Sequence, residues 1–147
     1  MNAFRFPLQK VLELRAKQLE LAEAHYKQQL AELGTLDRLR AETESAGIRA
    51  EIEVRQQPSV TGRELAALDH FRLRVKNDEA RIAAQRVEAA REAAVRQESM
   101  LLARRRSRLL DRLRKRRLEE WETARDRELD EIASESYLAQ WNRRAPE

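Results

Sequence analysis

Gln56-Gln57-Pro58-Ser59-Val60-Thr61-Gly62-Arg63-Glu64-Leu65 is the stretch whose reading decides the fold. Pro58 is the only proline between Leu8 and Arg144, and it sits in the one segment that reads as a loop. Thr61 and Glu64 have the spacing of a capping box, in which each residue satisfies a backbone N–H of the other at a helix start. Val60 before the cap and Leu65 after it are placed for a hydrophobic staple. The stretch therefore reads as one helix ending near Arg55, a loop over about 56–61, and a second helix opening at about 62.

The chain on either side supports that division. Both flanks are rich in Ala, Leu, Glu, Arg and Gln and poor in β-branched residues. A proline inside a helix costs about 3 kcal/mol and a glycine about 1 kcal/mol. Two proline-free runs around one break therefore predict an all-α chain of two long helices, about 5–55 and about 62–140. Folded back on each other they form an antiparallel coiled-coil hairpin, one such unit over 1–147, with the second helix overhanging the first.

Apolar spacing predicts the contact between the helices. In helix 1 the seam reads Leu8, Leu12, Leu19, Ala22, Tyr26, Leu30, Leu33, Leu36 and Arg40. Steps of three and four alternate along most of it, with an extra four between Tyr26 and Leu30. Such a stutter locally unwinds a left-handed supercoil. Beyond Leu39 the seam thins, Gly47 weakens the helix, and Ile48 and Ile52 keep a four-residue step. Helix 2 runs through Leu65, Leu68, Phe71, Val75 and Ile82 into an alanine-rich stretch at Ala83, Ala89, Ala90 and Ala93. Larger residues return at Met100, Leu110, Leu113, Leu118, Trp121, Leu129 and Ile132.

Length then becomes informative. Helix 1 covers about 75 Å and helix 2 about 115 Å at 1.5 Å per residue. Helix 2 is expected to draw level with Phe4 at about Arg114 to Arg117. That leaves residues from about Leu118 to Leu138 without a partner in the chain, although Trp121, Leu129, Ile132, Tyr137 and Trp141 lie there or just beyond.

Composition bounds the function. Of 147 residues, 38% are charged and 5% aromatic, and 30 basic residues are interspersed with 26 acidic ones. That composition serves a narrow helical seam better than a compact multilayer core. The absence of cysteine excludes disulfides and thiolate metal sites. No apolar run approaches the roughly 20 residues of a membrane span. The segment Met1-Asn2-Ala3-Phe4-Arg5-Phe6-Pro7 lacks the apolar core of a signal peptide. A soluble, cytoplasmic protein is expected.

No catalytic, cofactor-binding or metal site is expected, and no small-molecule substrate. His25 and His70 lie on different helices without paired ligand spacing, and Gly34, Gly47 and Gly62 are too far apart to cradle a phosphate. Carboxylates abound, but acid–base work needs a shielded pocket, which two helices do not supply. Nine of the fourteen residues from Arg104 to Arg117 are basic. This face has the charge to neutralise nucleic-acid phosphates. Glu119, Glu120 and Glu122 balance it just beyond, and Leu109, Leu110 and Leu113 keep a packing stripe within it. An acidic protein surface is the favoured partner over nucleic acid. Phe71, Val75 and Ile82 follow the capped start of helix 2. At least one of them is expected to fill the seam, and the others to form a patch near the hairpin tip.

The two ends together resemble a known family. Phe4-Arg5-Phe6-Pro7-Leu8-Gln9-Lys10-Val11-Leu12-Glu13-Leu14-Arg15 is similar to the opening of the flagellar export protein FliJ family. Arg112-Leu113-Arg114-Lys115-Arg116-Arg117 and Glu128-Leu129-Asp130-Glu131-Ile132-Ala133 are similar to its basic stretch and its closing acidic–apolar segment. The resemblance implies a non-enzymatic stalk, like the central stalk of rotary ATPases. Such a stalk inserts its paired-termini end into the ring of the flagellar export ATPase and promotes ring assembly and activity. It implies further contact with an export-gate membrane protein and with export chaperones, at the cytoplasmic face of the inner membrane. By position, Phe4, Phe6, Leu8, Val11, Leu12, Leu129 and Ile132 would belong to the ATPase end, with Arg114 and Arg116 near the ring mouth. Phe71, Val75 and Ile82 would belong to the gate-facing patch. The stalk proteins of virulence-type secretion systems are close relatives of this family. Two further readings stand beside it: a nucleic-acid-associated coiled coil using the 104–117 face, and a self-associating scaffold whose second helix pairs between chains.

Overall fold

The computed structural model describes residues 2–144. They form two helices packed against each other as a helical hairpin, with no strand among the described residues. Helix α1 runs Gln9–Gln56 and helix α2 runs Gly62–Arg144, 48 and 83 residues long.

The break forms as the local chemistry dictates. Thr61 N–H donates to Glu64 Oε2 at 3.0 Å, and Glu64 N–H donates to Thr61 Oγ1 at 3.3 Å. Leu65 N–H then closes the first helical turn onto the Thr61 carbonyl at 3.1 Å. At the other end Pro7 precedes α1 in a turn, in which Gln9 N–H donates to the Phe6 carbonyl at 3.1 Å. Residues 2–6 are not helical, so α1 begins at Gln9, a few residues later than the expected start at about residue 5.

The chain divides into two compact units, Glu20–Leu102 and Met1–Leu19 with Ala103–Glu147. In the first, cross-helix pairs report an antiparallel register. Asp37 on α1 meets Arg86 on α2, with Arg86 Nε donating to Asp37 Oδ1 at 2.6 Å. Fourteen residues further along α1, Glu51 meets Arg72, fourteen residues back along α2, at 2.9 Å. Equal steps in opposite directions are what an antiparallel pair requires, and fourteen residues is two heptads. Ile82 is 1% exposed and is the most deeply buried large side chain; Leu68, Ala89, Ala93 and Met100 are also buried. Val75 packs beside Gly47, where a methyl added to the glycine would lie 3.4 Å from Val75 Cγ1.

The seam of α1 differs from the expected one at a single phase choice. Half-buried positions alternate by threes and fours: Leu12, Arg15, Leu19, Ala22, Tyr26, Gln29, Leu33, Leu36, then Thr43, Gly47, Ala50 and Val54. The expected stutter between Tyr26 and Leu30 is therefore absent. Gln29 occupies the seam, and Leu30 is 44% exposed. Arg40 keeps the phase but is exposed, and Leu8, Ile48 and Ile52 face outward too. The four-residue step lies in α2 instead. Leu68, Val75, Ile82 and Ala89 stand seven apart, and the buried series resumes at Ala93 and Met100. Alanine tolerates that phase change because it leaves no bulky side chain to be accommodated in a fixed socket.

In the second unit, Arg114 Nε donates to Gln9 Oε1 at 3.2 Å in a partly buried contact. Phe6 and Ser107 are buried, and Leu12, Leu110, Leu113 and Leu118 are half-buried. From Asp126 to Arg144 every residue of α2 is exposed.

Candidate functional site

The expected ATPase-end residues lie in the unit formed by the first nineteen residues and the C-terminal part of α2. Residues 2–6 are not helical, and outside a helix a chain advances by more than the helical value of about 1.5 Å per residue. The N-terminal segment therefore reaches further along α2 than helical counting allows. Phe4 is level not with Arg114 to Arg117 but with Trp121, their ring centroids 6.0 Å apart and tilted by 55°. Trp121 is half-buried and is also covered by the Arg125 guanidinium, 5.2 Å from its ring centroid. The expectation that α2 lacks an internal partner from Leu118 onward is corrected accordingly: the unpartnered part begins after Arg125.

Apart from Arg116, taken with the basic stretch, the residues of this end fall into two groups. Phe4, Phe6 and Leu12 are wholly or partly buried within the unit, and Arg114 is held by Gln9. Phe4, Arg5, Phe6, Gln9 and Arg114 line a cleft of about 400 Å³. Leu8 in the turn before α1 and Val11 on α1 are exposed, while Leu129 and Ile132 are 55% and 53% exposed on the C-terminal extension. That extension also presents Tyr137, Leu138 and Trp141. Leu129 with Ile132, and Tyr137 with Leu138 and Trp141, form two exposed apolar clusters on different sides of the extension, without a covering element in their unit.

The basic stretch is not uniformly free. Arg116 and Arg117 both reach Glu120, at 3.3 and 3.1 Å. Glu120 so neutralises part of the C-terminal end of the stretch, whereas Arg105, Arg106, Arg108 and Arg112 are exposed. Such exposed charges are available to an acidic surface at little desolvation cost.

The expected gate-facing residues lie in the other unit and part company. Ile82 fills the seam, so no partner touches it without the helices separating. Its seven-residue spacing from Val75 and Ala89 puts all three on the α1-facing side. Val75 is half-buried against Gly47. Phe71 is half-buried with the Arg74 guanidinium 5.6 Å from its ring centroid, leaving one aromatic face at the surface of α2. Beside them Glu44, Gly47, Ile48, Glu51, Arg72 and Lys76 border a shallow cleft of about 650 Å³.

His25 and His70 are both exposed, and the Nδ1 of His25 lies 3.5 Å from Arg96 Nη1. No group of three or more His, Cys, Asp or Glu among the described residues is arranged to hold a metal ion. No helix of the described residues is long and apolar enough to cross a membrane. The Arg86 guanidinium is held above its ordinary ionisation range first by its hydrogen bond to Asp37 and then by that carboxylate's charge.

Two features escaped the sequence reading. Trp121 is an internal anchor for Phe4, and Gln9 orients Arg114. The signal for the first was Pro7, which keeps the preceding residues out of the helix and lengthens their reach. Comparison with protein-family models, with curated proteins and with solved structures finds no match to this chain.

Proposed function

We infer that this protein is a non-enzymatic stalk of a flagellar type III protein export apparatus. It acts at the cytoplasmic face of the inner membrane, where it inserts into the export ATPase ring and promotes ring assembly and activity. It links that ring to the export gate and to export chaperones. The observation that carries the reading is the exposed extension of α2 over residues 126–144, with Leu129, Ile132, Tyr137, Leu138 and Trp141 outward. Burying those side chains gives a protein partner a substantial apolar driving force. The Phe4–Arg15 segment that resembles the family's opening lies in the same unit as this extension. A stalk needs an apolar end to seat in a ring, and this unit offers one.

The test combines the purified chain with the flagellar export ATPase of the same cell and follows ATP hydrolysis and ring formation. Stimulation is expected, and it should disappear when residues 118–147 are removed or when Leu129 and Ile132 are both changed to Asp. Failure of the full chain to bind or stimulate a competent ATPase would overturn the reading. Reversal of charge at Arg116, which is exposed, should weaken ring binding in a salt-dependent way.

A further inference from the structure

Helix α2 carries a second apolar stripe outside the seam with α1. Leu73, Ala80, Val87, Ala94 and Leu101 follow one another at seven-residue intervals, and all five are exposed. Leu73 and Val87 are 57% and 52% exposed and Leu101 is 39%. Exposed Val95 and Leu102 widen the stripe at one end. At 3.6 residues per turn, Leu73 stands about 160° round the helix from Val75, and Val87 about 140° from Ile82. The stripe therefore lies opposite the intramolecular seam over residues 73–87, and past the four-residue step Ala94 and Leu101 stand about 100° from Ala93 and Met100, exposed on its flank. A strict seven-residue repeat over about 42 Å is what a second, supercoiled helix packs against.

The sequence of the stripe identifies that helix. Read outward from Val87, it is the same in both directions. Ala80 and Ala94 lie seven residues either side, and Leu73 and Leu101 fourteen. The charges beside it are opposite at equal distances: Lys76 lies eleven residues before Val87, and Glu98 eleven after. An antiparallel copy of the same stripe thus sets leucine on leucine, alanine on alanine and lysine on glutamate twice over. A parallel copy would set Lys76 on Lys76 and Glu98 on Glu98, like charges that oppose pairing. The alanines at the second and fourth positions let the two axes approach closely.

We propose that this outer face of α2, over residues 73–102, binds a second copy of the chain in an antiparallel pair centred on Val87. The intramolecular seam stays intact, since none of the stripe residues belongs to it. The interface is isologous, with each residue at position n meeting its mirror position across the two-fold axis. It lies wholly within the Glu20–Leu102 unit and stands independently of the export-stalk reading. Self-association through this face withdraws it from any other partner, so concentration becomes a control on what the unit binds.

The chain contains no cysteine, so single-cysteine variants of the full-length protein give a direct test. Under mild oxidation Val87→Cys should form a disulfide-linked dimer at least tenfold faster than Ser45→Cys, an exposed position on α1. Leu73→Cys alone should not cross-link above that control. A mixture of Leu73→Cys with Leu101→Cys should. In sedimentation equilibrium the 17.3 kDa chain should approach twice its mass with rising concentration. Val87→Glu, which sets two carboxylates against each other, should hold it monomeric. Lys76→Glu should weaken the dimer, and Lys76→Glu with Glu98→Lys should restore it. A chain monomeric at every concentration, with Val87→Cys no faster than the control, overturns the proposal. So does efficient cross-linking of Leu73→Cys with itself, which would mean parallel pairing.

Discussion

Trp121 packs its ring 6.0 Å from that of Phe4, and this contact ties the non-helical N-terminal segment to α2. An offset, tilted aromatic pair is worth about 1 kcal/mol beyond the area it buries. Trp121 thus has an internal task before any partner is considered. The Arg125 guanidinium over the same ring adds a cation–π contact on the exposed side of the site.

Phe4→Ala is expected to release residues 2–6 while leaving both helices intact. With Trp141 changed to Phe, Trp121 becomes the only tryptophan, and its emission should shift to the red. Amide exchange should rise in the N-terminal segment alone. A fall in helical content would mean that the pair holds α1 itself and not the segment before it.

Ile82 and Leu129 should behave as opposites although both are large aliphatic residues on α2. Ile82→Ala removes the most buried side chain and should cost about 2–4 kcal/mol. Leu129→Ala touches a side chain 55% exposed and should change stability by no more than about 0.5 kcal/mol. Its effect is expected on ATPase-ring binding. Chemical denaturation of both variants separates the two roles.

Two glycines in α1 are open to improvement. A methyl at Gly34 would meet nothing within 4 Å, so Gly34→Ala should stabilise by about 1 kcal/mol through helix propensity alone. At Gly47 the added methyl comes to 3.4 Å from Val75 Cγ1, an ordinary contact. Gly47→Ala should therefore stabilise as well, by a similar or smaller amount. Thermal unfolding of the two single variants checks both.

The Asp37–Arg86 pair sets register more than it adds stability, since both side chains are about half exposed. Asp37→Ala should lower the melting temperature slightly at low ionic strength and hardly at all in about 1 M salt. The raised ionisation of Arg86 carries a definite sign. A group whose folded value lies above its unfolded one stabilises fully below the unfolded value and loses that effect only as pH rises through the folded one. Arginine titrates far above neutrality. This contribution should stay flat across the neutral range and fade only in strong alkali.

Thr61→Ala removes the hydroxyl that accepts from Glu64 N–H and should cost about 1 kcal/mol. Thr61→Ser, which keeps the acceptor, should cost far less. Guanidinium titrations of the two variants distinguish loss of the cap from a change in loop packing.

Everything that depends on near neighbours is legible in the order of the amino acids. Pro58 ends one helix, the Thr61–Glu64 exchange starts the next, and the lack of other prolines lets both run on. Those effects act within four residues and need no knowledge of what lies opposite. Which residue enters the seam is another matter. Leu30 is the more hydrophobic choice, yet Gln29 is half-buried because the phase is set by its neighbours at Tyr26 and Leu33 and by the facing helix. The same holds for the four-residue step at Ala89–Ala93, which alanine permits but does not announce. The level of Phe4 likewise depends on the folded chain: the register that sets Gln9 on Arg114 carries helical counting to about residue 119, and the non-helical segment before Gln9 takes Phe4 on to Trp121. Local chemistry decided where the helices begin and end, and packing across the pair decided which residues meet.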